Sequence, residues 1–258
     1  MANPTAANAA SDPVARTASI LGVRVDALTM DESVALLLQN TLAGKRTFVV
    51  TANAEIIMMA HEDKAYGDLL RDKADLVLPD GAGTVWAGNY LGYNVPERVA
   101  GYDLYLRLLE EAAHHDIPVY FFGGTPGIAE AAAEEGRKRW PGLHVAGCHN
   151  GYFQAEEEEG IVRAINDSGA KMLFAALGAP KQEQWLDRYA SRLAPSLLMG
   201  IGGSFDVLAG KVQRAPKWMQ DARLEWLYRL LKQPSRLGRM MALPRFVLAV
   251  RQEKSGNK

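Results

Sequence analysis

A single cysteine, Cys148, in 258 residues leaves no partner for an internal disulfide and no cysteine cluster for zinc, and it fits a reducing compartment. Histidine is nearly as sparse. The five present form no HExxH or HxxxH spacing, so no metal site or catalytic triad is expected from them. His114 and His115 close a helix, where a cation is favourable, and His149 falls in a turn after a strand or at the edge of a cleft. No Asp-x-Asp pair is present to hold a divalent ion on a nucleotide diphosphate. Long apolar runs are missing too: Gly81 to Pro96, among the longest charge-free stretches, is broken by glycines and Asn89, short of the ~18 apolar residues of a membrane-spanning helix. Residues 1–17 lack an apolar period, and also lack the basic and apolar regions of a signal peptide. They are expected to be a disordered tail.

What is present is the composition of a soluble globular chain. With 48% apolar and 23% charged residues, fibrous, heptad-repeat and wholly disordered classes are excluded. The length suits one α/β domain with an appendage. The overall charge of −1 hides a segregation: residues 211–258 hold 12 Lys/Arg against Asp221, Glu225 and Glu253, a net +9, which leaves −10 on the preceding 210 residues. Such a tail suits an anionic partner, whether a phosphate-rich surface or nucleic acid.

Apolar runs at Thr47 to Thr51, Asp75 to Leu78, Val119 to Phe122, Leu143 to Gly147, Met172 to Leu177 and Leu197 to Ile201 are short and nearly continuous, as strands buried on both faces require. One further strand is read at Ser19 to Val25. Thr29-Met-Asp-Glu32 is a capping box that opens a helix toward Gly44. Helical patterns fill the gaps at Ala54–His61, Lys64–Arg71, Tyr102–His115, Gly127–Trp140, Ala155–Asn166 and Pro180–Arg192. The alternation predicts an α/β fold: a Rossmann-like, mostly parallel sheet flanked by helices, over residues 18–210. Past Ser204 only helical pattern follows, so residues 211–258 are expected to form a basic helical appendage whose removal leaves the body folded. Arg229, Lys232, Arg236 and Arg239 could share one face of it, either to bind or simply to be solvated.

In open α/β sheets ligands bind beyond the carboxyl ends of the strands. Thr51-Ala-Asn53, Pro79-Asp80-Gly81, Gly123-Gly124, Gly178-Ala-Pro-Lys-Gln182 and Gly202-Gly203-Ser-Phe205-Asp206 all follow strands. Glycines there admit a ligand to the backbone, and the helix starts that follow offer N–H groups to phosphate. Asp80 between Pro79 and Gly81 is either a general base facing the cleft or the cap of the next helix, and Asp206 carries the same two readings. Thr51 and Asn53 either position a substrate or form a turn and an N-cap. Gln182 faces either a ligand or solvent. No GxGxxG or P-loop spacing is complete.

Taken together, Thr51-Ala-Asn-Ala-Glu-Ile-Ile, Leu78-Pro-Asp-Gly81, Glu97-Arg-Val-Ala-Gly101, Gly178-Ala-Pro-Lys-Gln-Glu183, Gly202-Gly-Ser-Phe-Asp-Val-Leu-Ala-Gly210, Arg214-Ala-Pro-Lys-Trp-Met219 and Leu224-Glu-Trp-Leu-Tyr-Arg229 resemble the WecG/TagA/CpsF glycosyltransferase family from about Ile20 to Arg245. The resemblance implies an inverting, metal-independent transfer, with no cofactor, of N-acetylmannosamine, its uronic acid or glucose. The donor is a UDP-sugar and the acceptor a polyprenyl-diphosphate-linked saccharide, in cell-surface polysaccharide synthesis at the cytoplasmic face of the membrane. It implies that Asp80 is the base, with Thr51 and Asn53 beside it. The donor would be held by Gly81, Gly123, Gly124, Gln182, Gly203, Phe205 and Asp206, and its diphosphate by Arg229, Arg236 and Arg239. An anionic membrane surface is the expected partner of the basic tail, with Trp218, Trp226 and Phe246-Val-Leu-Ala-Val250 as apolar insertions and nucleic acid excluded. The appendage could also self-associate in solution. The sheet by itself would equally allow a nucleotide-binding oxidoreductase, and the tail a polyanion-binding module.

Overall fold

The computed structural model describes residues 16–221, 225–232, 238 and 241–256, apart from the side chains of Gln220, Asp221, Trp226, Arg229 and Leu230. Of the tail expected at residues 1–17, residues 1–15 lie outside the described residues, as do Arg236 and Arg239, whereas Thr17 already belongs to a strand.

All six expected sheet strands are present. They are β3 (Thr47–Ala52), β4 (Leu76–Pro79), β5 (Val119–Gly123), β6 (Val145–His149), β7 (Met172–Ala176) and β8 (Leu197–Gly200). They form one parallel sheet in the order β4-β3-β8-β7-β5-β6. Every residue of β3, β5, β7 and β8 is buried, which is why these segments read as continuous apolar runs rather than alternating ones. On one face lie α2 (Ala54–Glu62), α3 (Lys64–Asp72), α7 (Glu158–Asp167) and α8 (Lys181–Tyr189); on the other lie α1 (Met30–Leu42), α5 (Gly101–His114), α6 (Ile128–Arg139) and α9 (Ser204–Leu208). The capping box at the start of α1 is formed. Thr29 Oγ1 accepts from the Glu32 backbone N–H at 3.2 Å, and Glu32 Oε2 accepts from the Thr29 backbone N–H at 2.8 Å, an arrangement that contributes about 1 kcal/mol.

Three expectations are corrected. The run Ser19 to Val25 is not one strand but a hairpin, β1 (Thr17–Ile20) and β2 (Val23–Asp26), outside the main sheet. Leu21 and Gly22 both have positive φ, 51° and 79°, the geometry a two-residue hairpin turn needs. Asp26 then accepts from Val77 N–H at 2.7 Å, tying the hairpin to edge strand β4.

The second correction is a helix not anticipated, α4 (Ala82–Leu91), within the glycine-rich stretch. Gly88 in its middle permits close packing, since a Cβ there would lie 2.4 Å from Val95 Cγ2.

Third, residues 211–258 are not a separate appendage throughout. After α10 (Lys217–Asp221) and α11 (Glu225–Lys232), α12 (Ala242–Gly256) packs on α2 and α4. Its Ala242, Phe246 and Val250 are buried in the same apolar layer as the hairpin and α2. The Phe246–Val250 stretch therefore has no free apolar face of the kind a membrane insertion needs. Of it, Leu248 alone is largely exposed.

Candidate active site

After β5 the chain crosses to one face of the sheet through α6, and after β7 to the opposite face through α8. The loops between these neighbouring strands part, and a cleft of about 770 Å³ opens at their carboxyl ends. This is where an open α/β sheet places a ligand, and the volume falls in the range of small-molecule sites. Gly124 forms part of its floor, Tyr152 and Trp185 line its walls, and Lys181, Arg188 and Asp206 bring charge to it. Lys181 is exposed and has no carboxylate partner among the described residues. Arg188, by contrast, is paired with Glu158 at 3.2 Å. Trp185 is buried and its Nε1 has no hydrogen-bond partner among the described residues, a donor that a polar occupant of the site would satisfy.

The expected donor residues divide between cleft, floor and core. Gly124 and Asp206 line the cleft, and Gly203 is exposed next to Asp206. Gly123 lies beneath: at φ 124°, a Cβ would come 2.5 Å from the Ala176 backbone, so this glycine serves the approach of β5 to β7. Phe205 is a correction. Its ring is fully buried and stacks on Phe121 with centroids 4.8 Å apart, so it belongs to the core and cannot touch a donor. Gln182 is another, since it faces neither ligand nor solvent. It is buried, its oxygen accepts from Gly178 N–H at 3.1 Å and Gly202 N–H at 3.0 Å, and its amide donates to Glu183 Oε1 at 2.7 Å. It fastens the loop after β7 to the loop after β8. Gly81 is the N-cap of α4 at φ 92°.

Asp80, Thr51 and Asn53 meet at the ends of β3 and β4, and none of them lines the cleft at β5 and β7. Asp80 does not cap α4, whose N-cap Gly81 makes no side-chain bond. Its Oδ2 accepts from Gly101 N–H, the first residue of α5, at 3.3 Å, and its Oδ1 accepts from Arg98 Nε at 3.3 Å. A carboxylate at a helix N-terminus is held by the dipole as well as by the hydrogen bond. Gly101 must be glycine here, because a Cβ would lie 2.5 Å from Thr51 Oγ1. Thr51, Gly101 and Asp80 therefore converge. Asn53 caps α2, its Oδ1 accepting from Ile56 N–H at 3.0 Å, so the N-cap reading holds and only its amide is left over.

Sequence reasoning missed the charges behind Asp80. Arg98 also pairs with Glu225 at the start of α11, and Glu225 with Arg214 at 3.1 Å; Arg214 in turn makes a two-point pair with Asp103, 2.8 Å on one side. The Arg214 guanidinium lies 5.2 Å from the Tyr102 ring centroid. Burial alone would raise the Glu225 carboxyl, but Arg98 and Arg214 outweigh it and hold it below the ordinary glutamate value. Its contribution is therefore present above the ordinary glutamate range and lost as pH falls through the depressed value. Arg98, Arg214 and Glu225 do stand in the quoted blocks and Asp103 lies just past one, but nothing in their spacing joins them.

Glu183 shows the opposite shift. Burial raises its carboxyl despite bonds from Gln182 and from the Tyr66 hydroxyl at 3.3 Å. With a raised native pKa, its contribution is most favourable below the ordinary glutamate value and declines as pH climbs toward the native one. Glu183→Gln keeps an acceptor for Gln182 and presents an NH2 to the Tyr66 hydroxyl. The variant is expected to melt about 2–4 °C higher than the parent near pH 8, a difference that vanishes near pH 4. Thermal midpoints across that range check it; a variant less stable at pH 8 would show that the ionised form is the better partner.

Among the described residues no three His, Cys, Asp or Glu side chains gather as a metal cluster, and no helix is long and apolar enough to cross a membrane. The Glycosyl transferase WecG/TagA/CpsF family model matches residues 18–258. A protein of Bacillus spizizenii strain W23 named N-acetylglucosaminyldiphosphoundecaprenol N-acetyl-beta-D-mannosaminyltransferase is 38% identical over 206 residues, covering 80% of this chain and 79% of its own. A protein of Bacillus subtilis strain 168 with the same name is 33% identical over 210 residues, 81% of each chain. With its parallel sheet, its cleft at the parting of β5 and β7, and this match over nearly its whole length, the chain belongs to the WecG/TagA/CpsF family of glycosyltransferases.

Proposed function

We propose that the enzyme transfers N-acetylmannosamine, or a closely related sugar, from a UDP-sugar to a polyprenyl-diphosphate-linked saccharide, with inversion and without a metal ion. Family membership removes the oxidoreductase alternative. The acceptor class follows from the relatives, whose names give an N-acetylglucosaminyldiphosphoundecaprenol acceptor. The observation that carries the reading is the placement of Asp80 at the carboxyl end of edge strand β4, on the same side of the sheet as the cleft between β5 and β7, where Gly101 N–H and Arg98 hold it.

In the proposed step the acceptor hydroxyl oxygen attacks the anomeric carbon of the donor and its proton passes to Asp80. The bond from that carbon to the diphosphate oxygen breaks, and the electron pair leaves with UDP. One displacement inverts the centre. Asp206 suits the ribose hydroxyls as an acceptor, and Lys181 suits the diphosphate, where negative charge grows. Each preorganised donor aimed at that charge contributes about 2.7–4 kcal/mol, which is the role proposed for Lys181 and for Arg229, Arg236 and Arg239.

We place the enzyme peripherally on the cytoplasmic membrane face. The net +9 of residues 211–258 supports this, at about 1 kcal/mol per basic residue near an anionic surface. Among the described residues of that segment, Trp218, Leu231, Met241 and Leu248 are exposed and suit insertion.

The test is UDP release from a panel of UDP-sugars with a short-chain polyprenyl-diphosphate N-acetylglucosamine acceptor and EDTA present. UDP-N-acetylmannosamine is expected to support turnover at full rate under chelation. Turnover that requires added divalent cation overturns the metal-independent step, and silence from every UDP-sugar overturns the donor class.

A further inference from the structure

We propose that Arg98, Glu225 and Arg214 are positioning residues that transmit the seating of α11 to Asp80, so that Asp80 works only while α11 is docked. The inference rests on the reading of Asp80 as the base and adds what controls it. The guanidinium of Arg98 is divided: Nε serves Asp80 at 3.3 Å, and Nη1 serves Glu225. Glu225 is buried, is the first residue of α11, and is held from its other side by Arg214, whose own anchor is Asp103 on α5. Asp103 and Gly101, which donates to Asp80, stand two residues apart in the first turn of the same helix. The chain of charges thus leaves Asp80 through Arg98, passes through α11, and returns to the body beside Asp80.

An arginine fork is planar and rigid, so its two partners are not independent. When Glu225 is seated, it fixes the plane of the Arg98 fork and takes up part of its charge. Arg98 then meets Asp80 through one nitrogen, and a lone pair of the carboxylate stays open for a proton. Without Glu225 the fork is released to turn onto Asp80 and close a two-point pair, which occupies the lone pairs that must accept the proton of the acceptor hydroxyl. The basic C-terminal segment would in this way report its own position to the reacting centre, although Glu225 and Arg214 touch no substrate.

The test uses the full-length enzyme. Glu225→Gln removes the charge at nearly constant shape, and its kcat is expected to fall about tenfold to a hundredfold while donor KM moves less than about threefold. Arg214→Gln should give a smaller loss of the same kind, and the double variant no more than Glu225→Gln alone, because residues in one network do not add. A second readout is independent of chemistry. Hydrogen exchange of the α11 amides should rise in Asp80→Asn, where Arg98 loses one of its two charged partners and with it the fixed position from which it holds Glu225. A Glu225→Gln kcat within about twofold of the parent, additive losses in the double variant, or unaltered α11 exchange in Asp80→Asn each overturn the relay. The two ideas fail separately. Full turnover in Asp80→Asn removes the base whatever α11 does, whereas an inactive Asp80→Asn beside an active Glu225→Gln keeps the base and discards the relay.

Discussion

Asparagine at position 80 is expected to lower kcat by about 10²- to 10⁴-fold, the contribution of a positioned general base, with donor affinity nearly unchanged. The substitution is close to isosteric, and its carbonyl oxygen can still accept from Gly101 N–H, the bond that seats Asp80 at the start of α5. It cannot take a proton. Because the cleft that would hold the nucleotide is lined by Gly124, Lys181 and Asp206 from other strand ends, donor binding should not notice the change. Kinetics by UDP release and donor titration by calorimetry separate the two quantities. Loss of donor affinity in step with turnover would instead make residue 80 a binding group. Thr51, packed against Gly101 beside it, is expected to act on the same quantity through position alone.

The sheet was legible because a strand buried on both faces has no polar alternation to confuse it, as in Phe48 to Val50 or Leu173 to Ala175. The hairpin was not, because Leu21-Gly22 sits inside one apolar run and only its positive φ values announce a turn. Helix α4 was hidden by its glycines, which lower helix propensity yet allow Gly88 to approach Val95. Strand ends gave Asp80, Gly124 and Asp206, since chain position alone puts them on the rim. Which way a rim side chain turns is set by tertiary packing. Hence Phe205, one residue before Asp206, lies in the aromatic core, and Gln182 binds two loops together. The ion pairs joining Arg98, Glu225, Arg214 and Asp103 span more than a hundred residues of sequence and follow no helical or strand period.

Phe246→Ala is expected to destabilise the whole body by about 3–5 kcal/mol, the cost of emptying a buried aromatic site, which corresponds to a melting point lower by on the order of 10 °C. The basic composition of residues 211–258 suggests a detachable arm, but α12 is built into the fold at several points. Phe246 Cε1 lies 3.8 Å from where a Cβ on Gly83 of α4 would be, Glu253 accepts from Leu21 N–H at 3.0 Å, Lys254 sits 4.0 Å from the Tyr90 ring centroid, and Arg245 pairs with Glu62 at 2.9 Å. Leu248, mostly exposed on the same helix, supplies the control: Leu248→Ala should change stability by less than about 0.5 kcal/mol. Thermal melts of the two variants decide the matter, and equal midpoints would return α12 to the status of a removable appendage. If Phe246 behaves as expected, a chain ending at Met241 loses its fold along with its activity, so truncation cannot reveal what the basic segment does. The part free to act on the site is then confined to residues 211–241, ahead of α12, which include Arg214 and Glu225 where they meet Asp103 and Arg98.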